Sequence, residues 1–127
     1  MNLATDAVAD LMDKARAAAN AAGAAWLAAA TPRYSVHQET LDGHRGPAVG
    51  TMLDLCGGAY IKFTDRRCSD FKSFKRANAI RHESTVDLIH MFRGRQEHGL
   101  NVACMEAAYK VFKDAGISNI TVKDYID

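Results

Sequence analysis

Fourteen of the first thirty residues are alanine, the residue that loses least on entering a helix, and this leaves that stretch little choice of structure. Val8, Leu11, Met12, Ala15, Ala18, Ala19 and Ala22 share one helical face, so a helix is predicted over residues 5–30. Thr31 and Pro32 stop it, because proline has no N–H to give and pushes the residue before it out of the helical region. The stripe is narrow and built from small side chains, with Trp26 and Leu27 as its bulky anchor near the end. Such a stripe suits close approach of another helix, from the same fold or from a second copy of the chain. A homo-oligomer is therefore expected.

A chain of 127 residues with 48% hydrophobic and 24% charged residues can bury one core. One domain, 1–127, is expected, with residues 1–31 as a self-association element and 33–127 as an α/β core. No run approaches the roughly 18 apolar residues of a membrane span, and Asp6, Asp10 and Asp13 stand where a signal peptide carries basic residues. Cys56, Cys68 and Cys104 are too few and too scattered for a disulfide framework. Free thiols and a cytoplasmic location, the host cytoplasm for a viral protein, follow as expectations.

Beyond Pro32, residues 33–39 alternate as a strand and Asp42, Gly43, His44, Arg45, Gly46 and Pro47 form a loop. Two apolar runs, 49–56 and 59–64, flank Gly57-Gly58, which reads as a β-hairpin with a tight turn. The alternative is one bent strand whose glycines let a ligand or another backbone come close. Ser69 is placed to cap a helix carrying Phe71, Phe74, Ala77 and Ile80, with Lys72, Lys75, Arg76 and Arg81 on its other face. Val86, Leu88, His90 and Phe92 alternate as a half-buried strand. Steps of three and four from Leu100 to Ala115 make the most regular helix of the chain, with Gly116 as its C-cap and residues 117–122 as a last strand. The sum is an α+β fold: an N-terminal alanine-rich helix, then a small mixed sheet with two helices packed on it.

The net charge of +1 conceals polarity along the chain. Residues 60–95 hold nine basic and four acidic side chains, which suits a local anion site rather than a general nucleic-acid surface. Aromatic rings interleave with these cations, and a ring to stack on with guanidiniums for phosphate is what nucleotide recognition needs. Arg93-Gly94-Arg95-Gln96 supplies two guanidiniums, a glycine and an amide ahead of a helix N-terminus. The predicted ligand-binding residues are Arg93, Arg95 and Gln96, with Phe92 or a nearby ring stacking a base and Arg67 or Lys113 arriving from a neighbouring element. Phe71 and Phe74, three apart, belong to the core.

Other chemistries find less support. Cys56, Cys68, His82 and His90 lack the close pairs that structural zinc takes, so no metal and no other cofactor is expected. Cys56 beside Gly57 is a buried turn residue or a thiol nucleophile, and no base for it is identifiable. Asp54 in Met52-Leu53-Asp54-Leu55-Cys56-Gly57-Gly58 resembles the first acidic strand of RNase H-like nucleases, without their further carboxylates. Gln96 to Asn101, followed by residues 102–116, resembles the phosphate loop and helix of acetyltransferases, with Asn101 in place of a glycine. Either way, a loop feeding a helix N-terminus is an anion seat. No catalytic constellation emerges, and the chain is not expected to be an enzyme.

Cys56-Gly57-Gly58-Ala59-Tyr60-Ile61, Phe71, Phe74-Lys75, Gly94-Arg95-Gln96, Met105-Glu106-Ala107-Ala108 and Phe112-Lys113-Asp114-Ala115-Gly116-Ile117, with a short tail closed by Asp127, together resemble a group of small phage-encoded proteins. The group is similar to the Thoeris anti-defence sponge proteins of the first type. The resemblance covers residues 56–127, and its tail differs: Asp124-Tyr125-Ile126 stands where Ser-Arg is expected. It implies non-catalytic capture of cyclic ADP-ribose-type signals in phage counter-defence, by an oligomer with pockets between subunits. The alternatives are a small phage inhibitor of a host defence protein, of the anti-CRISPR kind, or a minimal acetyltransferase-like enzyme.

Overall fold

A computed structural model describes residues 3–39, 43 and 45–127. The chain is α+β, in the order α1 (Thr5–Ala29), β1 (Tyr34–Glu39), β2 (Arg45–Met52), β3 (Gly57–Phe63), α2 (Ser69–Arg76), β4 (Ile80–Arg81), β5 (Thr85–Val86), α3 (His98–Asp114) and β6 (Ile120–Ile126). The main sheet has the order β4-β5-β3-β6, and every pairing is antiparallel where a mixed sheet was expected. No described helix is long and apolar enough to cross a membrane.

Helix α1 forms as the alanines dictate and buries Val8, Met12, Ala15, Ala19 and Gly23 at helical spacing. This stripe lies along α3, which in turn packs on β3 and β6. The small side chains are thus covered by α3 of the same chain, and the stripe itself does not require a second copy. At Gly23 the approach is close: a Cβ there would fall 2.7 Å from Phe92 Cε2 and 2.8 Å from Cys104 Sγ. Beneath α3 the core closes on Phe74, whose ring meets Phe63 at 5.2 Å and Phe112 at 5.7 Å, both edge to face.

Gly57-Gly58 is not a hairpin turn. β1 pairs instead with β2, Tyr34 opposite Met52, and Asp42 and His44 of the expected loop lie outside the described residues. The glycines open β3, which runs beside β6 with Gly57 opposite Ile126 and Phe63 opposite Ile120. A Cβ on Gly57 would strike the Tyr125 carbonyl oxygen, and one on Gly58 would lie 2.6 Å from Tyr125 Cζ. Their missing side chains admit a neighbouring backbone and ring, but β2 and β3 are separate strands in different sheets, not the one bent strand of the alternative reading.

Three boundaries moved for local reasons. Cys68, not Ser69, caps α2: its thiol accepts from the Phe71 amide at 3.4 Å and donates to the Asp65 carbonyl at 3.1 Å. Ile80 leaves the helix for β4. Beyond Val86 the burial alternates as expected, Leu88 and His90 inside and Ile89 and Met91 outside, but no ladder continues there. The Ile89 carbonyl accepts from Arg16 Nε at 2.9 Å and the Met91 amide donates to Asn20 Oδ1 at 2.9 Å, so side chains of α1 take the place of a strand. Gly116, at φ +88°, ends α3 with the Ile117 amide bonded to the Phe112 carbonyl.

Candidate functional site

The segment 88–96 crosses the end of the sheet and leaves a cleft of about 420 Å³ between itself, the start of β3, Arg81 of β4, the face of α3 and the end of β6. Arg93, Arg95 and Gln96 all line it, together with His90, Asn101 and Tyr125. Two turns hold the segment in place, the Arg93 amide donating to the His90 carbonyl at 3.2 Å and the Arg95 amide to the Phe92 carbonyl at 2.9 Å. Asn101, nine-tenths buried on α3, fixes both walls: its Nδ2 donates to the Gly57 carbonyl at 2.9 Å and to the Arg95 carbonyl at 3.3 Å. Both amide hydrogens are spent on the chain. Oδ1 remains as an acceptor, with no partner among the described residues.

The guanidiniums are not equivalent. Arg95 forms a two-point pair with Glu97, Nε to Oε2 at 3.2 Å, and that hydrogen bond holds the Glu97 carboxyl below its ordinary range. Arg81 and Arg93 are exposed and have no ion-pair partner among the described residues. Gly94 needs no special conformation and faces open space.

The other predicted residues lie elsewhere. Phe92 turns toward α1, its ring against Gly23, so it packs the helix pair and leaves the cleft without the ring expected of it. Arg67 lines a separate cavity of about 780 Å³ with Lys62, Arg66 and Lys123, where Asp65 and Glu83 also stand. Lys113 sits 5.9 Å above the Tyr109 ring on the last turn of α3. Arg81, Asn101 and Tyr125 were not foreseen. Arg81 could have been found from the basic segment alone; Tyr125 carries no sequence signal, since β6 brings it to Gly58.

The α3 N-terminus is not an open anion seat. Asp54 Oδ2 accepts from the Gly99 amide at 2.7 Å, Oδ1 from the Leu55 amide at 2.8 Å, and the His98 amide donates to the Leu55 carbonyl. The chain's own carboxylate occupies the helix N-terminus where an anion was expected, and a carboxylate with both oxygens so engaged is a helix cap. Gly99 permits it: a Cβ would stand 2.6 Å from Asp54 Oδ2. Among the described residues no three His, Cys, Asp or Glu side chains converge as metal ligands. The three cysteines are free; Cys56 has no hydrogen-bonded base among the described residues, and burial pushes the Cys104 thiol up to about 11.

His90 is 5% exposed, and burial holds its pKa below the ordinary 6.5. The fold therefore resists its protonation, whereas the unfolded chain takes the proton at the ordinary value. Its contribution to stability is complete above pH 6.5 and declines as the pH falls from there toward the folded value. The melting temperature should drop more steeply between pH 6.5 and 5.5 in the parent than in His90→Asn, measured by circular dichroism in matched buffers. Parallel curves would show that His90 does not titrate between the two states.

Compared with protein-family models, curated proteins and solved structures, the chain matches none.

Proposed function

We propose that this protein binds and holds, without transforming it, a small phosphorylated nucleotide-type ligand in the cleft beneath segment 88–96. The observation that carries the reading is the pair Arg81 and Arg93, two exposed guanidiniums that line one cleft and have no ion-pair partner among the described residues, although Asp127 also lines it. Phosphate is the group such cations suit best. A cavity of about 420 Å³ is in the range that small ligands occupy. Asn101 Oδ1 offers an acceptor for a ribose hydroxyl or a base amine, and Tyr125, 52% exposed at the mouth, offers the stacking ring.

The resemblance over residues 56–127 narrows the ligand to cyclic ADP-ribose-type immune signals and the role to sequestration in phage counter-defence. A sponge needs affinity and no catalyst. The cleft is lined within one chain, whereas the resemblance implies pockets shared between subunits; a strict monomer in sedimentation would count against the sponge reading.

The test is to incubate the protein with a panel of cyclic nucleotides and ADP-ribose isomers, remove free ligand, heat it, and identify what is released by mass spectrometry. Intact ligand is the expected result. An altered product would make the protein an enzyme, and no uptake would favour an inhibitor of a host protein.

A further inference from the structure

The proposed site contains one polar group whose place the guanidiniums do not explain. His90 is almost wholly buried, yet it forms part of the cleft lining. Its Nδ1 accepts from the Phe92 amide at 3.2 Å, which places the proton of the neutral ring on Nε2. Nε2 makes no hydrogen bond within the described residues and is not sealed from solvent. Such a donor takes water in the free protein and is open to an acceptor oxygen brought by a ligand. Anchoring the Phe92 amide needs only an acceptor, which asparagine would supply; the second ring nitrogen makes no hydrogen bond among the described residues.

Resting on the reading of this cleft as a phosphorylated-ligand site, we propose that His90 is its neutral donor, the Nε2–H taking an acceptor oxygen of the ligand while Arg81 and Arg93 take its charge. Guanidiniums alone would attract any polyanion. A fixed N–H of known tautomer adds direction without burying another charge, and so it distinguishes a ligand whose oxygen is correctly placed from one that merely carries the same charge.

Two substitutions separate the ring's nitrogens. His90→Asn keeps an acceptor near the Nδ1 position and loses the distal donor; His90→Gln keeps a donor near Nε2. With ADP-ribose as the probe, calorimetry should show His90→Asn binding about tenfold more weakly than the parent and His90→Gln recovering most of the loss. Long-range proton–nitrogen NMR of the parent should show the Nε2–H tautomer before ligand and a shift of Nε2 on adding ADP-ribose or inorganic pyrophosphate.

Undiminished binding by His90→Asn, or an Nε2 signal unmoved by either probe, overturns the role of His90. The double variant Arg81→Ala/Arg93→Ala is the control for the site itself. If it loses binding while His90→Asn keeps it, the cleft is right and the donor wrong; if it binds as the parent does, both readings fall. Should His90→Asn not fold, the NMR measurement on the parent still decides.

Discussion

Replacing Arg81 and Arg93 together with alanine should abolish uptake of ADP-ribose and its cyclic relatives while leaving the apo protein's melting temperature nearly unchanged. A charge-assisted hydrogen bond lost from a site costs about 1.5–3 kcal/mol, roughly ten- to hundredfold in affinity. Two independent contacts then amount to a factor on the order of 10² to 10⁴. Neither side chain is committed within the fold: both are exposed and lack an ion-pair partner among the described residues, and such surface changes usually stay within about 0.5 kcal/mol. Arg93 with Arg95, the pair that the sequence favours, is a poorer choice, because losing Arg95 strands Glu97 at the bridge to Cys56 and mixes a stability effect with a binding one. Calorimetric titration and a thermal melt of the same samples check both halves. Parent-like affinity in the double variant would place the ligand elsewhere.

Gly23→Leu should destabilise the chain by about 1–3 kcal/mol, the usual cost of forcing extra methylenes into a packed core. The sign is informative because local preference runs the other way: leucine is the better helix former, by somewhat under about 1 kcal/mol. At an exposed position that preference would win. Here a Cβ would already stand 2.7 Å from the Phe92 ring and 2.8 Å from Cys104 Sγ, and leucine adds three further carbons against a fully buried thiol and a ring held between two helices. Urea denaturation reads the difference as a lowered midpoint at unchanged slope. A raised midpoint would mean that the face around Gly23 is not occupied from within the chain.

Much of the molecule could be read from residue order because the governing forces are local. Alanine's helical preference and the proline at 32 set α1, the steps of three and four set α3, and Gly116 ended it where a positive φ was required. Alternation after Val86 foretold which residues are buried, since burial follows side-chain direction. It could not foretell that α1, more than sixty residues away, would supply the hydrogen-bond partners through Arg16 and Asn20.

The functional region divides along the same line. Its basic character, and the placing of Arg93, Arg95 and Gln96 on one loop, belong to the sequence. Which cations are uncommitted, which ring faces the cleft and which nitrogen of His90 is left over do not, because each depends on a partner distant in the chain. Phe92 and Tyr125 show the physical reason. Residue order fixes a side chain's neighbours along the backbone and its period within an element, but the void at Gly23 draws one ring inward and the bare backbone at Gly58 admits the other beside the cleft. Those two choices were made by steric fit between elements, and only the tertiary structure could make them.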